Sequence, residues 1–341
     1  MILFVAILAI ITLHGVHKRE EDSFLSKEMT ATVNGVFAVC IFLSHCSEYI
    51  IMNGALDGIY RHFQNFHNQW IVASFLAFSG YGVMCQIVKS GNAYLMEYPK
   101  SRLGKTILNF DIAVLLYLLM DGILRIKYST AEIIGSFVGI TSVGNSNWYI
   151  FAILIMYFDS YICARIFNEK YTYQAVGVTV GTIIYIAVLQ LCGMPSRFIS
   201  TILCYATGVW LCIYRKELCV LFEKRKIESA CVIGMILLVT YKLRYDDYIM
   251  NISSIFFVFA IAYFNVFFVI RSKILYFIGK HAFSIYIVQR IPMTIFQHYG
   301  ILKDNRYGFV IIAFFSTIVI AVLFDKFINY IDNYCFVKKT V

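Results

Sequence analysis

The chain has 341 residues, of which 60% are hydrophobic, 17% aromatic and only 14% charged, with a mean hydropathy of +0.74. Soluble domains carry about 25% charged residues, so this composition excludes that class, offers nothing to a nucleic acid, and points to a polytopic helical protein surrounded by the lipid bilayer. The net charge of +9 matters through its distribution, because loop Lys and Arg set membrane orientation.

Three prolines and the lack of a Gly/Ser-rich linker argue for one continuous transmembrane domain. Most of the ten cysteines, including Cys40, Cys85, Cys192, Cys204, Cys212 and Cys231, fall inside apolar runs. No CxxC pair or Cys/His spacing of a zinc site accompanies them, so they read as small hydrophobes and no metal is expected.

In chain order, the run Ile2 to Val16 is short for a span, lacks a basic flank before it and is followed by HKREEDSF rather than a cleavage site. It reads as an uncleaved extra helix which, with its hinge, occupies residues 1–23. The next run, Val33 to Met52, is of membrane length and carries Asn34 and His45. Eleven helical positions of about 100° each put the two on one face, about 16 Å apart. In a hydrocarbon core about 30 Å thick, that spacing places His45 near or just past the midplane. Glu48 follows one turn later, within reach of the imidazole. An ionisable residue at such depth is costly, so His45 is expected to face the protein interior or a wet cavity. A hydrogen-bonded interhelical histidine is the plainer reading.

FLAFSGYGV, 75–83, inserts Ser79, Gly80 and Gly82 into an apolar helix. Small residues let helices approach closely, or leave room for the wall of a cleft that takes an elongated ligand. Arg102 and Lys105 stand three apart just before a span, which puts two cations on one face of a helix N-terminus. That arrangement suits a phosphorylated cofactor or a lipid headgroup. Glu132 to Ser142 is apolar but short, and reads as interfacial or re-entrant. Trp148 and Tyr149 fit an aromatic belt at the start of a span. Further apolar runs continue to 307–328, for about eleven spans. Alternate loops differ in Lys and Arg by about a factor of two. The richer side includes 98–105, 214–226, 271–280 and the end of the chain with Lys338 and Lys339. The bias sets the N-terminus outside and the C-terminus inside.

Several of these stretches, in this order, resemble the acyltransferase-3 family of integral membrane acyltransferases. They are the Lys27-Glu28-x-Thr30, Asn34-Gly35 and His45 series, FLAFSGYGV, YPKSRLGKTILNF at 98–110, SNWYIFAILIMYF at 146–158 and GKHAFSIYIVQ at 279–289. The resemblance implies an all-α membrane bundle of ten core spans over residues 24–330, preceded by the extra helix and followed by a cytoplasmic tail, 331–341. It implies transfer of an acyl group, commonly acetyl, from acetyl-CoA to a hydroxyl of a cell-surface carbohydrate, in a bacterial plasma membrane. His45 matches the family's essential histidine, the general base, and Glu48 is placed to orient it as the third member of a triad does. Arg102 and Lys105 match a basic pair that meets the CoA phosphates, with lysine in place of the second arginine. Asn34 takes the place of a basic residue at the cofactor, and Ser79, Gly80 and Trp148 are expected against the substrate. Gln289 stands where the family has histidine, and Ala282 where it has serine. The rival reading is a polytopic transporter or exporter of a glycan or lipid, with His45 as proton relay. An inactive member of the family is a third.

The charge bias makes a direct prediction. In a background without other accessible thiols, Arg102→Cys is expected to resist a thiol reagent confined to the cell exterior and to react once the membrane is permeabilised. Labelling from outside would reverse the orientation.

Overall fold

The computed structural model describes residues 1–19, 24–67, 69–243 and 245–336. From the N-terminus these form α1 (Ile2–His14), β1 (Val16–Lys18), α2 (Lys27–Cys46), α3 (Asp57–His67) and α4 (Trp70–Tyr98). A π-helical turn (Pro99–Gly104) leads into α5 (Lys105–Leu124), α6 (Thr130–Phe137), α7 (Trp148–Phe167) and α8 (Tyr171–Leu191). A 3-10 turn (Ser196–Phe198) precedes α9 (Leu203–Ile213), α10 (Arg215–Lys224), α11 (Lys226–Leu243), α12 (Asp247–Phe267) and β2 (Phe268–Ile270). The chain closes with α13 (Lys273–Lys280), α14 (Ala282–Val288), α15 (Arg290–His298) and α16 (Arg306–Phe336).

Local chemistry sets several of these boundaries. Ser26 caps α2 by accepting from the Met29 amide, and Ser272 caps α13 by accepting from Leu275. Asp246 does the same for the first turn of α12, and Ser129 with Glu132 forms a capping box on α6. Gly91, at φ +48°, breaks the regular path of α4 at a backbone conformation that side chains disfavour.

Among the described residues, seven helical stretches are long and apolar enough to cross a membrane: Lys27–Cys46, Asp57–Leu124, Trp148–Phe167, Tyr171–Leu191, Ser196–Ile213, Asp247–Phe267 and Arg306–Tyr334. The 57–124 stretch contains both α4 and α5 in succession. The chain is thus a multi-pass, helical membrane protein. Three of the runs expected as spans are not among these seven stretches, the run 227–241 within α11 being one, with Lys226, Glu228 and Lys242 in its 18 residues. α1 has 13 residues, about 20 Å of helix, and the run 281–299 belongs to a broken segment, α13 to α15. The polar pairs Lys280-His281 and Gln289-Arg290 sit at its two breaks, and Pro292 is tolerated only because it falls in the first turn of α15.

The ends of the chain are more tightly integrated than expected. The fold is all-α as expected, apart from one small ribbon: β1 pairs antiparallel with β2, Val16 opposite Ile270 and Lys18 opposite Phe268, and stitches the N-terminal segment to the far part of the chain. Met1 and Leu8 of the same segment are buried, so residues 1–19 belong to the bundle. Residues 20–23 of the expected hinge lie outside the described residues. At the other end, α16 runs on to Phe336 instead of giving way to a tail at 331, and Asp332 is buried against Lys105. Lys338 and Lys339 lie outside the described residues.

Two helix pairs approach to backbone contact. α4 and α9 meet where Gly80 faces the Tyr205 carbonyl and Gly208 the Ala77 carbonyl; a Cβ there would lie 2.1 Å and 1.9 Å from those oxygens. α2 and α13 meet where Gly35 faces Leu275 and Gly279 faces Ala31, with corresponding distances of 1.9 Å and 1.7 Å. Close approach of this kind replaces the hydrophobic drive that helices lack inside lipid.

A side chain at Gly279 must push two backbones apart, and overpacking of a tight contact costs about 1–3 kcal/mol. Gly279→Val is expected to lower the melting temperature of the purified protein by several degrees. Gly82→Ala, at a position with open space around it, should leave it unchanged. Equal melting temperatures for the two variants would refute the contact.

Candidate functional site

A cavity of about 430 Å³ opens between α2, α4, the π-turn with α5, α7 and the broken segment α13–α14. Asn34, Ala38 and Ile41 contribute the α2 wall, and Phe75 and Ser79 the α4 wall. Arg102, Lys105, Thr106 and Asn109 line it from the turn and α5, Tyr149 and Tyr157 from α7, and Lys280, Phe283, Tyr286 and Gln289 from the broken segment.

Arg102, Lys105 and Lys280 give the cavity a cationic section. The Arg102 Nε donates to the Tyr94 hydroxyl at 3.0 Å and its guanidinium lies over the Tyr157 ring at 5.9 Å. Lys105 pairs with Asp332 at 3.3 Å and keeps about a third of its side chain exposed. Farther in, the cavity is lined by neutral polar groups. Ser79 Oγ and the Tyr149 hydroxyl stand 3.5 Å apart. The side-chain amide oxygens of Asn34, Asn109 and Gln289 are buried without a hydrogen-bond partner. A buried, unpaired amide oxygen costs about 1–3 kcal/mol, so three around one cavity mark it as a place for donors carried by something else.

Six expected site residues thus separate into members and neighbours. Asn34, Ser79, Arg102 and Lys105 line one cavity, whereas Gly80 does not. Successive helical residues point about 100° apart, and Gly80 is spent on the contact with Tyr205. Trp148 is displaced for the same reason: its ring packs edge-on against Tyr149, 6.2 Å between centroids, and Tyr149 is the residue that meets the cavity.

His45 occupies a different position from the one its run suggested. α2 starts at Lys27 and ends at Cys46, so His45 lies in its last turn, about 27 Å from the start, toward the far end of the helix. It is not among the cavity-lining residues. Ile41, one turn before it, and Gln289 are. Beyond them His45 joins a charged cluster. Its Nδ1 lies 3.3 Å from Glu48 Oε1 and 2.5 Å from Arg290 Nη2. Arg290 also grips the carboxylate with both nitrogens, Nη1 to Oε2 at 2.8 Å and Nη2 to Oε1 at 3.2 Å. Tyr49 completes the group, its hydroxyl 3.4 Å from Arg290 Nη1. Burial raises the Glu48 carboxyl, but the polar side chain of His45 beside it, the hydrogen bonds from Arg290 and the arginine charge outweigh it and pull the group down to about 2. Glu48 is a carboxylate across the neutral range.

Asn109, Lys280, Gln289, the tyrosines and above all Arg290 had not been expected at the site. Arg290 carried a readable signal, a charged residue inside an apolar run, which by default marks function or a partner in the bundle. Its partner, Glu48, is 242 positions away, and no local spacing relates them.

No family model, no curated protein and no solved structure matches this chain.

Proposed function

We propose that the protein is a membrane O-acyltransferase that moves an acyl group, acetyl as the expected one, from acyl-CoA to a hydroxyl of a cell-surface carbohydrate. The observation that carries this reading is one cavity with cations in one section, partnerless amide oxygens along it, and an end one turn short of a histidine cluster. CoA has matching chemistry along its length. Its phosphates suit Arg102, Lys105 and Lys280, which the loop charges assign to the cytoplasmic side. The two amide N–H groups of its pantetheine arm suit the oxygens of Asn34 and Asn109. The thioester then falls toward Ile41 and Gln289.

His45 serves as the general base in this scheme. Its imidazole takes the proton of the acceptor hydroxyl as that oxygen bonds to the thioester carbonyl carbon. The C–S bond breaks, and the leaving sulfur receives the proton, regenerating neutral imidazole. Glu48 is half exposed, so an acceptor can approach from the face of His45 opposite the cavity. Donor and acceptor would meet across the Ile41–Gln289 constriction.

Two predictions test the donor and the base. Arg102→Ala with Lys105→Ala is expected to weaken CoA binding by at least tenfold, since each charge-assisted hydrogen bond contributes about 1.5–3 kcal/mol. Unchanged affinity, measured calorimetrically on protein in nanodiscs, would remove both residues from the site. Positioned proton transfer contributes about 10²–10⁴-fold in rate, or about 3–5 kcal/mol. His45→Ala and His45→Gln should therefore both lose at least a hundredfold in acyl transfer while still inserting in the membrane. Wild-type turnover by the Gln variant would make His45 structural.

One observation favours the second reading, a glycan or lipid exporter. The cavity wall is a helix broken twice, as in carriers whose substrate site lies between half-helices. Loss of glycan export from cells carrying Gln289→Leu, with surface acylation unchanged, would select the exporter. Intact CoA binding without turnover on any carbohydrate would mark an inactive acyltransferase.

A further inference from the structure

The His45 cluster specifies more than proximity. A neutral imidazole has one N–H and one lone pair, a guanidinium has only donors, and a carboxylate only acceptors. The Nδ1 of His45 faces one of each, Arg290 Nη2 at 2.5 Å and Glu48 Oε1 at 3.3 Å. It can satisfy only one of them. An N–H on Nδ1 would point a hydrogen at the nearer, permanently charged guanidinium, which cannot accept it. A lone pair on Nδ1 accepts from Arg290 without conflict and leaves the proton on Nε2.

Glu48 does not compete for that proton in this arrangement, because it is already held by both Arg290 nitrogens. The guanidinium is fixed from another side by Tyr49, whose hydroxyl lies 3.4 Å from Nη1 and whose ring lies 5.9 Å from the guanidinium carbon. Tyr117 and Tyr286 face the arginine from the other side, and among the described residues Arg290 brings the donor that reaches Nδ1.

We infer that Arg290 is a positioning residue that holds His45 in the tautomer protonated on Nε2, so that in this state His45 presents a donor on its free side and not a base. The tautomer follows from the hydrogen-bond chemistry alone. Its consequence rests on the acyltransferase reading: base action at Nε2 requires the proton to sit on Nδ1, facing Glu48, and therefore requires Arg290 to withdraw from the imidazole. Arg290 is then the gate on the general base, and Glu48 its orienting partner only in the open state.

Nitrogen-15 NMR of histidine-labelled, full-length protein in bilayers at neutral pH tests this directly, with His45→Gln identifying the His45 signals by difference. The expected wild-type spectrum has an unprotonated, hydrogen-bonded Nδ1 and a protonated Nε2. Arg290→Met, which removes the donor and keeps an unbranched side chain, should reverse the two as Glu48 takes the Nδ1 proton. Glu48→Gln, with Arg290 in place, should leave the wild-type pattern. A protonated Nδ1 in the wild type overturns the inference, as does a pattern that Glu48→Gln reverses or that a folded Arg290→Met retains. If Arg290→Met does not fold, the wild-type and Glu48→Gln spectra decide alone. Absence of acyl transfer would end the catalytic reading without touching the tautomer.

Discussion

The contact on which the rest depends is the one between the backbones of α2 and α13, where Gly35 rests on Leu275 and Gly279 on Ala31. Nothing larger than hydrogen fits at either glycine, so the two helices are locked in register as well as in distance. α2 carries Asn34 and His45. The segment that begins with α13 carries Lys280, Gln289 and Arg290. The relations between these two segments, above all the imidazole of His45 against Arg290, inherit their geometry from those two glycines.

Charge places the remaining walls. An unpaired charge inside the bundle is expensive, and removing one partner of a buried pair costs about 3–5 kcal/mol. Lys105 with Asp332 fastens α5, and so one side of the cavity, to the last helix. His281 and Ser284 both bond to Asp325, which ties the first break of the α13–α15 segment to the same helix. Arg306 with Asp57 holds the start of that helix against α3 at 2.5 Å. α16 is thereby pinned to the site at three heights by polar contacts, although its outward face remains apolar and exposed at Phe315, Leu323 and Phe327. Packing sets which helices touch, while ion pairs set where along their lengths they do.

How much of this was legible depended on the range of the interaction. Helical spacing alone related Glu48 to His45, and the two do meet. Asn34, Ser79, Arg102 and Lys105 come from separate stretches and line one cavity, a convergence that no single spacing required. Gly80 and Trp148 were assigned with their neighbours because a motif gives a stretch and not a face; the 100° between successive residues then sent Ser79 and Tyr149 inward and the other two elsewhere. The end of the helix just after His45 was not legible because the apolar run continues past it. The Ser47 amide bonds back to Leu43 and the Glu48 amide to His45 in a closing turn, while Ile50 and Ile51 keep the composition apolar after the helix has ended. The β1–β2 ribbon and the Glu48–Arg290 pair join residues more than 240 positions apart. Their partners are set by the tertiary fold, and hydropathy carries no trace of it.

The second break, at Gln289 and Arg290, joins the two halves of the site through one peptide unit. Gln289 is fully buried, donates to the Tyr286 carbonyl at 3.2 Å and lines the cavity. Arg290, the next residue, turns away from it toward His45 and Glu48. In an uninterrupted helix the pair would still diverge by about 100°. At this junction Gln289 keeps helical dihedrals and its amide bonds to the Ile285 carbonyl, while Pro292 brings no amide to the Val288 carbonyl. The lining of the cavity and the hydrogen bonding of His45 are thus set by adjacent residues of one backbone, at the junction of two short helices.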